Sequence, residues 1–103
     1  MEWGRRQMAD SNKNGSNKLS AVELSQAALT TVGQLTGFKP EAVTGLEWDG
    51  DLWQVTVDAL ELERIPSTTD VIGEYVVQLD DQGTLRGYRR TRRFARGQAA
   101  EGD

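Results

Sequence analysis

Val43-Thr44-Gly45-Leu46-Glu47-Trp48 runs into Asp49-Gly50, and Trp53-Gln54-Val55-Thr56-Val57 leaves it. Apolar and polar residues alternate on both sides of a dipeptide that favours a tight reversal, and this pattern predicts a β-hairpin half-buried on one face. Trp48 and Trp53 flank the reversal, where a hairpin brings such rings within pairing distance. Past Val57 the apolar register moves to Leu60 and Leu62, while Glu61 and Glu63 take the other side. A slip of one residue inverts a strand, so a bulge is expected near Asp58-Ala59. Pro66, which has no N–H to give a ladder, ends the strand.

Downstream, Val71, Gly73, Tyr75, Val77 and Leu79 alternate with Ile72, Glu74, Val76, Gln78 and Asp80, which predicts a third strand. Asp80-Asp81-Gln82-Gly83 supplies the next turn, and Thr84 to Phe94 returns as a fourth strand carrying Leu85, Tyr88 and Phe94 among arginines. Upstream, Ser20-Ala21-Val22-Glu23 is a capping box that starts a helix. Ala21, Leu24, Ala28, Val32 and Leu35 fall on one face of that helix, and Gly37 then Pro40 stop it. The sum is an α+β domain: one N-terminal helix packed on a four-stranded antiparallel β-meander. Polar, turn-rich residues 1–17 and the end at 97–103 read as disordered tails around a single domain at 18–96.

The chain has 103 residues, of which 37% are hydrophobic, and its mean hydropathy is -0.58. No apolar run approaches the ~20 residues that cross a bilayer, so no membrane span is expected. Residues after Arg5-Arg6 lack the apolar stretch of a secretory signal, so a cytoplasmic location is expected, with Met1 or Met8 as the start. There is no Cys and no His. Disulfides, thiolate nucleophiles, the usual general base near neutral pH and the commonest metal ligand are therefore missing. No enzyme motif is visible, and neither a cofactor nor a metal is expected. Glu47, Asp49 and Asp51 do not have the spacing of a calcium loop. Glu61 and Glu63 read as one solvated face rather than an acid–base pair.

The formal charge of -4 is unevenly distributed. Eleven acids lie between Glu41 and Asp81 against Arg64 alone, while Arg86, Arg89, Arg90, Arg92, Arg93 and Arg96 have no acid among them. Arginine forks on the last strand could pair with phosphates, with carboxylates of the neighbouring strands, or with an acidic protein partner. The negative total and the few aromatics on this strand weigh against a dedicated nucleic-acid binder.

Leu60-Glu61-Leu62-Glu63-Arg64-Ile65-Pro66-Ser67-Thr68-Thr69-Asp70-Val71-Ile72-Gly73-Glu74-Tyr75 and Gly87-Tyr88-Arg89-Arg90-Thr91-Arg92-Arg93-Phe94, with Thr44 to Gly50 and the run from Trp53 to Val57, closely resemble the gas vesicle protein O family. In shape alone, the order of helix and meander also resembles PepSY-type modules. The family resemblance implies a non-enzymatic cytoplasmic accessory protein of gas vesicle assembly. Such a protein would associate with gas vesicles and contact the shell protein or other accessory proteins. The matching positions, Glu61, Glu63, Arg64, Ile65, Pro66, Tyr88, Arg89, Arg90, Arg92 and Arg93, are the expected partner-binding residues, with the arginine strand and the acidic second strand as two docking surfaces. The alternative is a nucleic-acid-binding regulator of gas vesicle genes that uses the same arginines.

Overall fold

The structure is a computed structural model that describes residues 18–97. Of the tails expected at 1–17 and 97–103, all but Gly97 lies outside the described residues. Gly97 is described, and it lies against Thr68.

The helix α1 spans Ala21–Thr36. The Glu23 N–H donates to Ser20 Oγ at 3.1 Å and the Ser20 N–H to Glu23 Oε1 at 2.8 Å, so two otherwise orphaned amides are satisfied at its start. Gly37 closes it in the left-handed conformation, its N–H reaching Gly33 O at 3.0 Å. Leu24, Ala28 and Val32 are fully buried at intervals of four. The expected stripe is too wide at both ends. Ala21 and Leu35 are exposed, and Ala27 and Leu29 pack against the core instead.

Four strands follow in chain order, β1 (Lys39–Trp48), β2 (Trp53–Leu62), β3 (Val71–Leu79) and β4 (Leu85–Ala95), and form one antiparallel sheet in the order β1-β2-β3-β4. β1 begins four residues before Val43 and includes Pro40. An edge strand tolerates proline because one side of its backbone has no ladder to feed. The first hairpin closes over residues 49–52. Asp49 Oδ1 accepts the N–H groups of Asp51 and Leu52, and Trp48 lies opposite Trp53 with ring centroids 5.4 Å apart.

α1 lies across β1, β2 and β3 on one face of the sheet. Val55, Val57, Ala59, Tyr75, Val77 and Leu79 rise from that face to meet Leu24, Ala28 and Val32. Burying a Val or Leu side chain is worth about 1.5–3 kcal/mol, so this layer holds the fold together. The segment before the helix is pinned to the β3–β4 turn, with the Leu19 N–H donating to Asp81 O at 2.9 Å. Its side chain fills the space where a Cβ on Gly83 (φ 82°) would stand, so sterics and conformation both demand glycine there.

The bulge expected near Asp58-Ala59 lies further along. Ala59 is fully buried and continues the core alternation of Val55 and Val57, and the register against β3 breaks between Leu60 and Leu62. Glu61 is the extra residue.

Candidate partner-binding surface

Glu61 was expected on a solvated face beside Glu63. Its side chain is instead 3% exposed. Counting by twos from Val57 through Ala59 brings Glu61 to the helix-facing side of the sheet, where it lies over Gly73. A Cβ at Gly73 would overlap the Glu61 carboxylate, so the missing side chain makes the room that the acid occupies. Tyr75 Oη donates to Glu61 Oε2 at 2.6 Å. Arg90 Nη1 donates to Glu61 Oε1 at 2.9 Å, and Arg93 Nε lies 3.2 Å from the same oxygen. Burial, then the hydrogen bond to Glu61, push the Tyr75 hydroxyl up to about 12.

Positions 90 and 93 differ by an odd number and would face opposite ways on a regular strand. They share a carboxylate because β4 is also bulged: Tyr75 pairs with Arg90 and Glu74 with Arg92, leaving Thr91 as the extra residue. Thr91 Oγ1 fixes this irregularity by meeting Glu74 O at 3.1 Å and Glu74 Oε2 at 2.7 Å. Tyr88, 44% exposed, stands beside Tyr75 with ring centroids 6.5 Å apart.

The opposite face of the sheet has no second layer among the described residues. Leu60, Ile72 and Phe94 pair across it, with the Arg92 guanidinium 4.4 Å from the Phe94 ring centre and 3.3 Å from Glu74 Oε1. Asp58 stands directly opposite Glu74, and its Oδ1 is buried without a hydrogen-bond partner. Burial first, and the Glu74 charge second, raise the Asp58 pKa above 3.8.

Residues 63–70 connect β2 to β3 and are held from below. Asp70, buried, accepts the Arg64 N–H at 2.8 Å and Arg96 Nη2 at 3.2 Å, while Arg96 also forks onto both oxygens of Glu41 at 3.1 and 3.0 Å. These two carboxylates, Glu41 first, raise the Arg96 pKa. Thr69 Oγ1 and N–H both reach Pro66 O. The braced loop holds Ile65 fully exposed, with Glu63, Arg64 and Pro66 also at the surface.

The ten expected positions therefore separate. Glu61, Arg90 and Arg93 form one cluster beside Tyr88. Arg92 turns to the other face. Glu63, Arg64, Ile65 and Pro66 form a loop of their own. Arg89, like Arg86, has no carboxylate partner among the described residues. Of the acids expected on the second docking surface, Glu61 is engaged by Arg90 and Arg93, while Glu63 stays exposed on the loop. Tyr75, Gly73, Thr91, Asp70, Glu41 and Arg96 belong to these networks and were missed. A glycine inside the third strand was the signal for Gly73, and the uninterrupted alternation from Val55 was the signal that Glu61 points inward. No group of three or more acidic residues among those described could hold a metal ion, and no described helix is long and apolar enough to cross a membrane.

Fold and charge together define a two-layer α+β module in which the arginines of and after β4 pair with acids of the other three strands and of the β2–β3 loop. The profile of the family described as gas vesicle synthesis protein GvpO matches residues 7–100, and the chain belongs to this family. It is 39% identical over 80 residues to gas vesicle protein O of Streptomyces sp. (strain CB03234), covering 78% of this chain and 62% of that one. To gas vesicle protein O of Haloferax mediterranei it is 29% identical over 94 residues, 90% of this chain and 67% of the relative. To gas vesicle protein O1 of Halobacterium salinarum it is 33% identical over 61 residues, 59% and 51% respectively. The chain thus spans between about half and two thirds of the length of these curated relatives. No solved structure matches it. The family is described by the synthesis of gas vesicles and not by a reaction.

Proposed function

We propose that the protein acts in the cytoplasm as an accessory protein of gas vesicle formation, without catalysis, by contacting the shell protein or other accessory proteins through β4 and the 63–66 loop. Family membership supports the role in gas vesicles. The shared Glu61 carboxylate supports the choice of surface, since one negative charge holds two guanidiniums that are 46% and 53% exposed and leaves a positive surplus facing outward. Arginine with a neighbouring tyrosine is a common interface anchor, and Ile65 adds an apolar contact on a rigid support.

The regulator reading receives less support. Arg90, Arg92, Arg93 and Arg96 already hold carboxylates, which phosphates would have to displace. A tagged full-length chain recovered from cells expressing the whole gas vesicle gene set, treated with nuclease and washed at high salt, separates the two. Gas vesicle proteins retained after nuclease support the accessory role. Nucleic acid recovered alone, and lost with nuclease and salt, overturns it.

A further inference from the structure

β4 is the last strand of the sheet, so one side of its backbone from Leu85 to Phe94 has no strand beside it among the described residues. α1 lies over the other three strands. Six arginines occupy positions 86 to 96, and the carboxylates within reach do not match them: Glu61 serves two, Glu74 one, and Glu41 with Asp70 serve Arg96. Arg86 and Arg89 face outward with no acid partner among the described residues.

Resting on the protein-contact reading above, we propose that this edge receives an acidic segment of a partner chain in extended conformation, added as a fifth strand. The partner's carboxylates meet Arg86 and Arg89 and the exposed flanks of Arg90 and Arg93. Backbone hydrogen bonds supply affinity in such an addition, and alternate side chains supply specificity. Charge selects the occupant. A second copy's β4 would set arginine against arginine. A second copy's β1 is poorly suited too, because Pro40 has no N–H, extra residues at Glu41 and Thr44 interrupt its register, and Glu41 is engaged by Arg96. The extra residues of β4 at Arg86 and Thr91 divide its own edge, so the regular runs Gly87–Arg90 and Arg92–Phe94 set the length of the new ladder.

The full-length chain titrated with a synthetic peptide of alternating Glu and Val, followed by backbone amide exchange, tests this. Binding should weaken with salt, and amides of β4 should exchange more slowly in the complex while those of β1 do not change. The variant R86E/R89E breaks no ion pair among the described residues and should keep its melting temperature, yet bind the peptide about tenfold more weakly through two reversed charge contacts. Binding without new protection in β4, equal binding of an alternating Lys and Val peptide, preference for poly(U) RNA, or self-association through β4 would each overturn the proposal. If R86E/R89E captures gas vesicle proteins as well as the wild type does, strand addition at β4 is overturned and the protein-contact reading stands. If the wild-type chain captures none after nuclease treatment, both are overturned.

Discussion

Arg90 and Glu61 are 29 positions apart in the chain and 2.9 Å apart in the fold. Regular alternation from Val57 through Ala59 brings Glu61 to the face that Arg90 shares with Tyr75, and the bulge at Thr91 brings Arg93 to the same face. One acid serving two arginines leaves a positive surplus, which the proposed function assigns to partner contact.

Removing the acid should therefore cost stability. Glu61→Ala leaves Tyr75 Oη without its acceptor and two guanidiniums without their shared counter-charge, an expected loss of about 2 kcal/mol in urea unfolding. Gly73→Ala should cost a similar amount by displacing the same carboxylate. The double variant should then lose far less than the sum, because both substitutions remove one arrangement. Additive losses would show that Gly73 and Glu61 act independently.

Asp58 supplies a pH dependence of opposite sign to the ordinary acid. Its folded pKa is raised above 3.8, so the folded state favours the protonated form, and the stability that form contributes is present below 3.8 and lost as pH rises through the folded value. Asp58→Asn should raise the melting temperature at neutral pH and change it little at about pH 3. A neutral-pH variant no more stable than the wild type would contradict the burial and Glu74 repulsion described for this side chain.

At the alkaline end Tyr75 governs. With its hydroxyl pushed up to about 12 against the ordinary 10.0, the stability it contributes is full below 10.0 and disappears as pH rises through 12. Ultraviolet titration should show the Tyr75 phenolate appearing only as the fold is lost. Tyr75→Phe should lose about 1 kcal/mol at neutral pH and abolish this alkaline step. A phenolate that forms reversibly near 10 in the intact fold would be inconsistent with the hydrogen bond to Glu61.

Asp70 is expected to hold the 63–70 loop. Asp70→Ala removes the acceptor of the Arg64 N–H and one partner of Arg96, and should destabilise the domain by about 2 kcal/mol. Limited trypsin digestion should cut after Arg64 sooner in the variant than in the wild type. An unchanged cleavage rate would mean that the Thr69 bonds to Pro66 suffice.

Much of this fold is legible in local chemistry. The Ser20–Glu23 box, Gly37 and the Asp49-Gly50 and Asp80–Gly83 turns are decided by neighbours a few residues away, alternation marks the first three strands, and the fourth follows from the turn before it. What eluded the sequence depends on pairing between distant strands. Thr91 becomes an extra residue only because of how Glu74 and Tyr75 lie opposite it, so nothing local announces that Arg90 and Arg93 share a face. Glu61 was legible in part: its alternation from Val55 pointed inward, but the flanking Leu60 and Leu62 competed for that side. In the fold Leu60 finds Ile72 on the open face instead.

The most direct test of the central claim, that the surplus arginines of β4 serve gas vesicle formation, is complementation. Cells expressing the gas vesicle gene set without this protein would receive either the wild-type chain or R86E/R89E at matched abundance, and gas vesicles would be counted by electron microscopy. The account expects vesicles with the wild type and few or none with the variant, whose melting temperature is unchanged. Full restoration by the variant would contradict it.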